Sequence, residues 1–184
     1  MLDLAFARDL VMTGVIFGAA AFVWAGWAQE RPPAGVVWRI VLVVLQVAGL
    51  VLVGFGIPAA VQHWNTPTAI DPGSTAFVWY IVVFWLEVVV MIGLAILLTR
   101  TKRAQLIAPA VLVIVGVHFV PLSFVFGQPI ILLAALLITA AGVAAVLLPH
   151  KTAAPSFWCG ILAAPIFLIL GTVALVAGNG ALGP

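Results

Sequence analysis

Apolar positions in this chain run in long blocks separated by short polar breaks. A helix needs about 20 apolar residues to cross a hydrocarbon core about 30 Å thick. Six blocks reach that length, at about 10–28, 37–61, 76–98, 105–126, 129–148 and 157–178. The breaks are sharp. ERPPAG (30–35) carries paired prolines, HWNTPTAIDPGST (63–75) is the longest polar stretch, and GQP (127–129) leaves room only for a tight turn. RTKR (100–103) is the charge cluster, and PHKTAAPS (149–156) again carries two prolines. The pattern predicts an all-α polytopic membrane protein: six transmembrane helices in one bundle, a single membrane domain over 1–184, with the fourth and fifth helices as a hairpin.

Composition strengthens that reading. Apolar residues make up 66% of the chain and charged residues 7%. A water-soluble domain of this size has far more polar surface to present, so the solvent for most of this chain is the lipid bilayer. Seven Lys and Arg are spread over several breaks with no basic run, which argues against a nucleic-acid partner. The lone Cys159 reads as a small buried hydrophobe with no intrachain disulfide partner. Residues 1–9 include Asp3, Arg8 and Asp9 and are followed by no clean cleavage site, so the first block reads as a retained span.

Charge also sets an expected orientation. In a six-span chain, Arg31, Arg39, Arg100, Lys102, Arg103 and Lys151 share one side and Arg8 alone lies on the other. The positive-inside rule then places the Arg100–Arg103 loop in the cytoplasm of a multi-pass cell-membrane protein, with both termini outside. Trp27, Trp38, Trp64, Trp79 and Trp158 fall near the span ends, where indole rings favour the headgroup level. Trp24 and Trp85 lie deeper and are expected between helices.

Lipid gives helices no hydrophobic reason to associate, so close packing must come from small residues. GVIFG (14–18), Gly49, Gly54 and Gly56, and TAAGVAA (139–145) provide such faces, expected to serve packing within the chain.

Against this apolar background the polar residues inside the spans stand out. Glu87 lies midway along the third span, where an acid costs roughly 2.5–3.5 kcal/mol on insertion scales. It should therefore face protein and find a partner, with Gln46 and His118 as the candidates. Helical spacing puts Tyr80, Phe84, Met91 and Leu94 on the Glu87 stripe, Tyr80 two turns toward the outer end. His118 is the one histidine inside a span, and Pro121 three residues later removes a backbone donor and should kink the helix beside it. Arg8, Asp9, His63 and Asp71 gather at the outer mouth, where Arg8–Asp9 reads first as a solvated helix start.

The stretch GVHFVPLSF (116–124) resembles an H-F-x-P-L element of small uncharacterised bacterial multi-spanning membrane proteins, which more often read H-F-L-P-L-A. Val120 and Ser123 depart from that pattern. The resemblance covers about ten residues of one span, implies a bacterial membrane protein, and draws attention to His118 and Pro121.

Familiar catalytic signatures are missing. The sequence has no G-x-S-G with a partner histidine, no H-E-x-x-H, no C-x-x-C and no glycine-rich phosphate loop. One histidine within a span cannot supply paired haem ligands, and His63, His118 and His150 lack metal-ligand spacing. No metal and no cofactor is expected, and an enzyme is disfavoured. The leading expectation is a small-solute or proton-coupled transporter with an outward-facing polar cavity: Glu87, His118, Tyr80 and Gln46 form its binding or proton-relay group. A non-catalytic scaffold or sensor subunit comes second, and an enzyme using Glu87 and His118 as acid and base comes third. The short chain leaves room for a homo-oligomer or a membrane-protein partner.

Overall fold

The computed structural model describes residues 2–183, so the first and last residues of the expected 1–184 domain lie outside it. Six long helices carry about three quarters of the chain: α1 Ala7–Trp27, α2 Val36–Gln62, α3 Thr75–Arg100, α4 Ile107–Val125, α5 Pro129–Leu147 and α6 Pro155–Leu182. Each is long and apolar enough to cross a membrane, and their ends fall within a few residues of the six blocks read from sequence. Local chemistry marks those ends. Ser74 caps α3 by accepting a hydrogen bond from the Phe77 N–H at 3.0 Å. Proline opens both α5 and α6, where its missing N–H costs nothing. Gly127 adopts a φ of 63° in the α4–α5 turn, a left-handed conformation that suits glycine.

The helices assemble around α1 and α6, which share the largest interface. α2 lies against α1, α4 and α5 form the expected hairpin beside α6, and α3 packs chiefly on α4. Three rings close the centre: Phe17 of α1, Phe119 of α4 and Phe167 of α6, with centroids 5.3–6.2 Å apart.

Small residues set the helix spacing, and they do so within the chain. In GVIFG the two glycines serve different neighbours: Gly14 meets Gly171 and Leu175 of α6, whereas Gly18 meets Gly49 of α2. Gly142 abuts Pro109 and Val113 across the hairpin, so the small face of TAAGVAA packs on α4 as expected. Gly54 departs from expectation, because a side chain there would meet nothing within 4 Å. It faces outward.

The α3 helix also differs from expectation. None of its 26 residues is buried. A stripe at Tyr80, Val83, Glu87, Met91, Leu94 and Leu98 is half-buried against α4, with Ala76, Phe77, Val88 and Ala95 also half-buried and the rest exposed. The stripe matches the one read from sequence except that Val83 takes the place of Phe84. Trp85, expected between helices, is 58% exposed. The reason is geometric: a helix with one partner buries one stripe, and Trp85 lies off it. Trp24, by contrast, is 5% exposed, as depth suggested, in the crowded α1–α6 interface.

The two ends of the bundle differ in charge. Arg31, Arg39, Arg100, Lys102, Arg103 and Lys151 all lie at the end where α2, α4 and α6 begin, with Glu30 as their sole acidic neighbour among the described residues. Asp3, Asp9 and Asp71 lie at the other end with Arg8. The α1 start and the α6 finish meet at this acidic end, where the Ala7 carbonyl faces Gly178.

Candidate functional site

Glu87 and His118 meet across the α3–α4 interface. Glu87 lies 12 residues along α3, about 18 Å from its start at 1.5 Å per residue. Its Oε2 stands 3.4 Å from Nδ1 of His118. The side chains are only 12% and 10% exposed, so both face protein rather than lipid. The Val83 carbonyl, one turn before Glu87 on α3, also neighbours the imidazole. Nδ1 is buried and makes no hydrogen bond within geometric limits. The two groups are thus close but not aligned for a hydrogen bond. A reorientation of the carboxyl or the imidazole, rather than a closer approach of α3 and α4, would complete a carboxyl–imidazole hydrogen bond.

α4 runs without a break through Pro121, one turn beyond His118. Phe119 turns inward from His118 into the aromatic cluster, its ring centroid 6.0 Å from the imidazole. His118 is therefore held between the packed core and α3. Tyr80, two turns from Glu87 on the same stripe, lies edge-on to Phe126 at 6.1 Å.

Gln46 is not brought to Glu87. Its amide packs against Gly26 of α1, where an added Cβ would sit 3.1 Å from Nε2. The partner that sequence left open is His118, because α4 rather than α2 covers the Glu87 stripe.

The residues of the expected outer mouth separate into an anchored pair and two looser ones. Asp9 is 5% exposed and accepts from the Thr68 hydroxyl at 2.8 Å and from the Ala69 N–H at 2.8 Å. Arg8 donates to the Trp64 carbonyl, its guanidinium carbon lies 5.2 Å from the centre of a Trp64 ring, and Nε is 3.7 Å from Asp9 Oδ1. The expectation of a solvated helix start is overturned: the pair clasps the α2–α3 loop to the head of α1. Sequence missed it because Thr68 and Ala69 lie about 60 residues away in an irregular segment. His63 ends α2, its carbonyl accepting from the Thr66 hydroxyl at 2.8 Å. Asp71 is exposed. A second anchor at this end also went unread. Gln128 is 1% exposed, donates to the Asp3 carbonyl at 2.6 Å and accepts from the Asp3 N–H at 3.3 Å.

Two surface clefts lie elsewhere. One, of about 410 Å³, is wholly apolar and runs between α3, α4 and α5 from Leu94 to Leu147. The other lies at the basic end between Trp27, Gln105 and Ser156. Neither reaches the Glu87–His118 pair. Comparison with known proteins finds no family model, no curated protein and no solved structure that matches this chain.

Proposed function

We propose that the chain is a small proton-coupled membrane transporter or permeation unit in which Glu87 and His118 hold and exchange the coupling proton. One observation carries this reading: an acid and an imidazole lie 3.4 Å apart near mid-span, screened from lipid, with the imidazole nitrogen unbonded. Ionisable groups at that depth are costly and by default mark ion or substrate paths. A carboxylate beside a neutral imidazole passes from a single negative charge to a neutral pair when it takes up one proton, and the imidazole offers the unprotonated carboxylate a donor. Tyr80, on the same stripe toward the acidic end, extends polar character in that direction. The positive-inside rule supports a cell-membrane orientation with the Arg100–Arg103 loop cytoplasmic and both termini outside. Labelling of a cysteine at position 2 from the cytoplasmic face only would overturn that orientation.

The coupling test uses the full chain in liposomes carrying a trapped pH dye, with an imposed gradient and potassium–valinomycin to set the voltage. Proton uptake by the wild type, reduced at least tenfold in Glu87→Gln and in His118→Ala, is the expected result. Uptake unchanged in Glu87→Gln while the variant keeps its thermal midpoint sinks the proposal.

A second reading rests on the position of α3. Because α3 packs chiefly on α4, the same pair is well placed as a clasp between those helices in a scaffold or sensor subunit. That reading expects Glu87→Gln to lower folded yield and leave flux untouched.

A further inference from the structure

At the basic end, three breaks in the chain converge on a cavity of about 550 Å³. Its walls come from the end of α1 and the turn after it (Trp27, Glu30, Arg31), the turn before α4 and its first residue (Gln105, Ile107) and the start of α6 (Ser156). A volume of that size lies within the usual range of small-ligand sites. Nothing in the Glu87–His118 reading uses it. His118 lies ten residues farther along α4 than Ala108 on the cavity wall, about 15 Å away by helical rise.

The two charged side chains of this cavity, Glu30 and Arg31, are exposed and unspent on each other. Glu30 and Arg31 are neighbours in sequence and both line the cavity, yet among the described residues neither takes part in a salt bridge. Glu30 accepts through Oε2 from the Ser156 hydroxyl at 2.7 Å, which fixes the carboxylate and leaves Oε1 without a hydrogen bond among the described residues. Ser156 is 3% exposed and held in the first turn of α6. Arg31 donates through one terminal nitrogen to the His150 carbonyl at 3.1 Å, which holds the guanidinium in place with further donors to spare. Its own carbonyl accepts from the Ala154 N–H at 3.0 Å, so the backbone carrying these two charges is tied to the head of α6. Gln105, an exposed residue, adds a side-chain amide with no hydrogen bond among the described residues, and the Trp27 indole, stacked on Trp24 at 5.4 Å, supplies an aromatic wall.

A carboxylate and a guanidinium held apart on the walls of one cavity are complementary to a ligand whose own charges are separated the other way round. An ammonium beside Glu30 and the Trp27 face gains ion pairing and cation–π attraction, and an anionic group beside Arg31 and Gln105 gains charge-assisted hydrogen bonds. We propose that this cavity binds a compact zwitterion that joins a primary ammonium to a phosphate over a few bonds. Two sources carry that chemistry: the headgroup of an aminophospholipid in the adjoining leaflet, or a free solute of phosphoethanolamine type.

The test uses the full chain in detergent micelles with three lipid probes and one soluble one. The lipids are dioleoyl phosphatidylethanolamine, its N-acetylated form, which lacks the ammonium, and dioleoyl phosphatidylglycerol, with retention read by native mass spectrometry. The soluble probe is phosphoethanolamine, read by titration calorimetry. For a lipid headgroup, the wild type retains phosphatidylethanolamine at least tenfold more tightly than either of the other lipids. For a soluble ligand, phosphoethanolamine binds and no lipid preference appears. In either case Glu30→Gln, which keeps an acceptor for Ser156, weakens the preferred probe at least tenfold, and Arg31→Gln weakens it as well. The N-acetylated arm needs no variant, so a folding defect in Glu30→Gln leaves the lipid test intact, and Arg31→Gln serves the soluble arm. Equal retention of all three lipids with no phosphoethanolamine binding overturns the proposal, as does selective binding that a folded Glu30→Gln leaves unchanged. Loss of proton flux in Glu87→Gln is read separately, so failure of the cavity and failure of the proton pair are distinguishable.

Discussion

Gly49→Leu should cost the folded protein about 3 kcal/mol, at the upper end of the usual penalty for overpacking. A Cβ at this position would stand 2.6 Å from the Gly18 carbonyl oxygen and 3.0 Å from the Phe22 nitrogen. Both are backbone atoms of α1 and cannot swing aside as a side-chain tip would. The helices must separate instead. Moving α2 off α1 also opens the contacts on either side, notably Leu52 beside Gly18 and Gly56 beside Val15. Gly54→Leu is the matched control on the same helix, because it meets nothing within 4 Å. It should be neutral or slightly stabilising, since glycine is the poorer helix former by roughly 1 kcal/mol against alanine. Reversible unfolding in mixed micelles with increasing denaturing detergent measures both. Equal loss in the two variants would show that α2 does not sit on α1 at Gly49.

Asp9→Ala should cost about 2–3 kcal/mol, a magnitude set by the hydrogen bonds that the carboxylate accepts. Bonds to a charged acceptor contribute roughly 1.5–3 kcal/mol, and a partly buried donor left unpaired adds its desolvation cost. The substitution strands the Thr68 hydroxyl and the Ala69 N–H and removes the anion beside Arg8. The effect is local before it is global: amide exchange at Ala69 and Ile70 should quicken at least tenfold, with the centre of α6 unchanged. Asp71→Ala, at an exposed site on the same loop, should leave both readouts within error. Unaltered exchange at Ala69 in Asp9→Ala would remove the clasp from the account.

The six spans were legible because one strong variable, unbroken apolar length against a known bilayer thickness, decides them with little interference. The depth of Glu87 was legible for the same reason. Its orientation followed from cost alone: an acid at mid-span must face protein, and it does. The identity of its partner was not legible. Choosing between Gln46 and His118 requires knowing which helices are neighbours, and α3 could not be assigned a neighbour from a pattern that is apolar all round. Trp85 was misjudged on the same point, since depth says nothing about which side of a helix is covered. The Asp9 clasp and the Glu30–Arg31 cavity were hidden for another reason. Each joins segments far apart in sequence through irregular backbone, where no period exists to read.

The one-sided attachment of α3 bears on the order in which the chain is made. α1 and α2 share an extensive interface and can pair as soon as both have entered the bilayer. α3 enters next, and its main partner is still unsynthesised. During that interval Glu87 has no imidazole beside it, and the helix that carries it has only lipid or the insertion machinery to lean on. Only when α4 follows, after the short turn at 101–106, does the acid acquire His118 and the helix a surface to pack against. The Glu87–His118 contact of the finished protein is also, on the nascent chain, the point at which its most exposed helix first ceases to be alone.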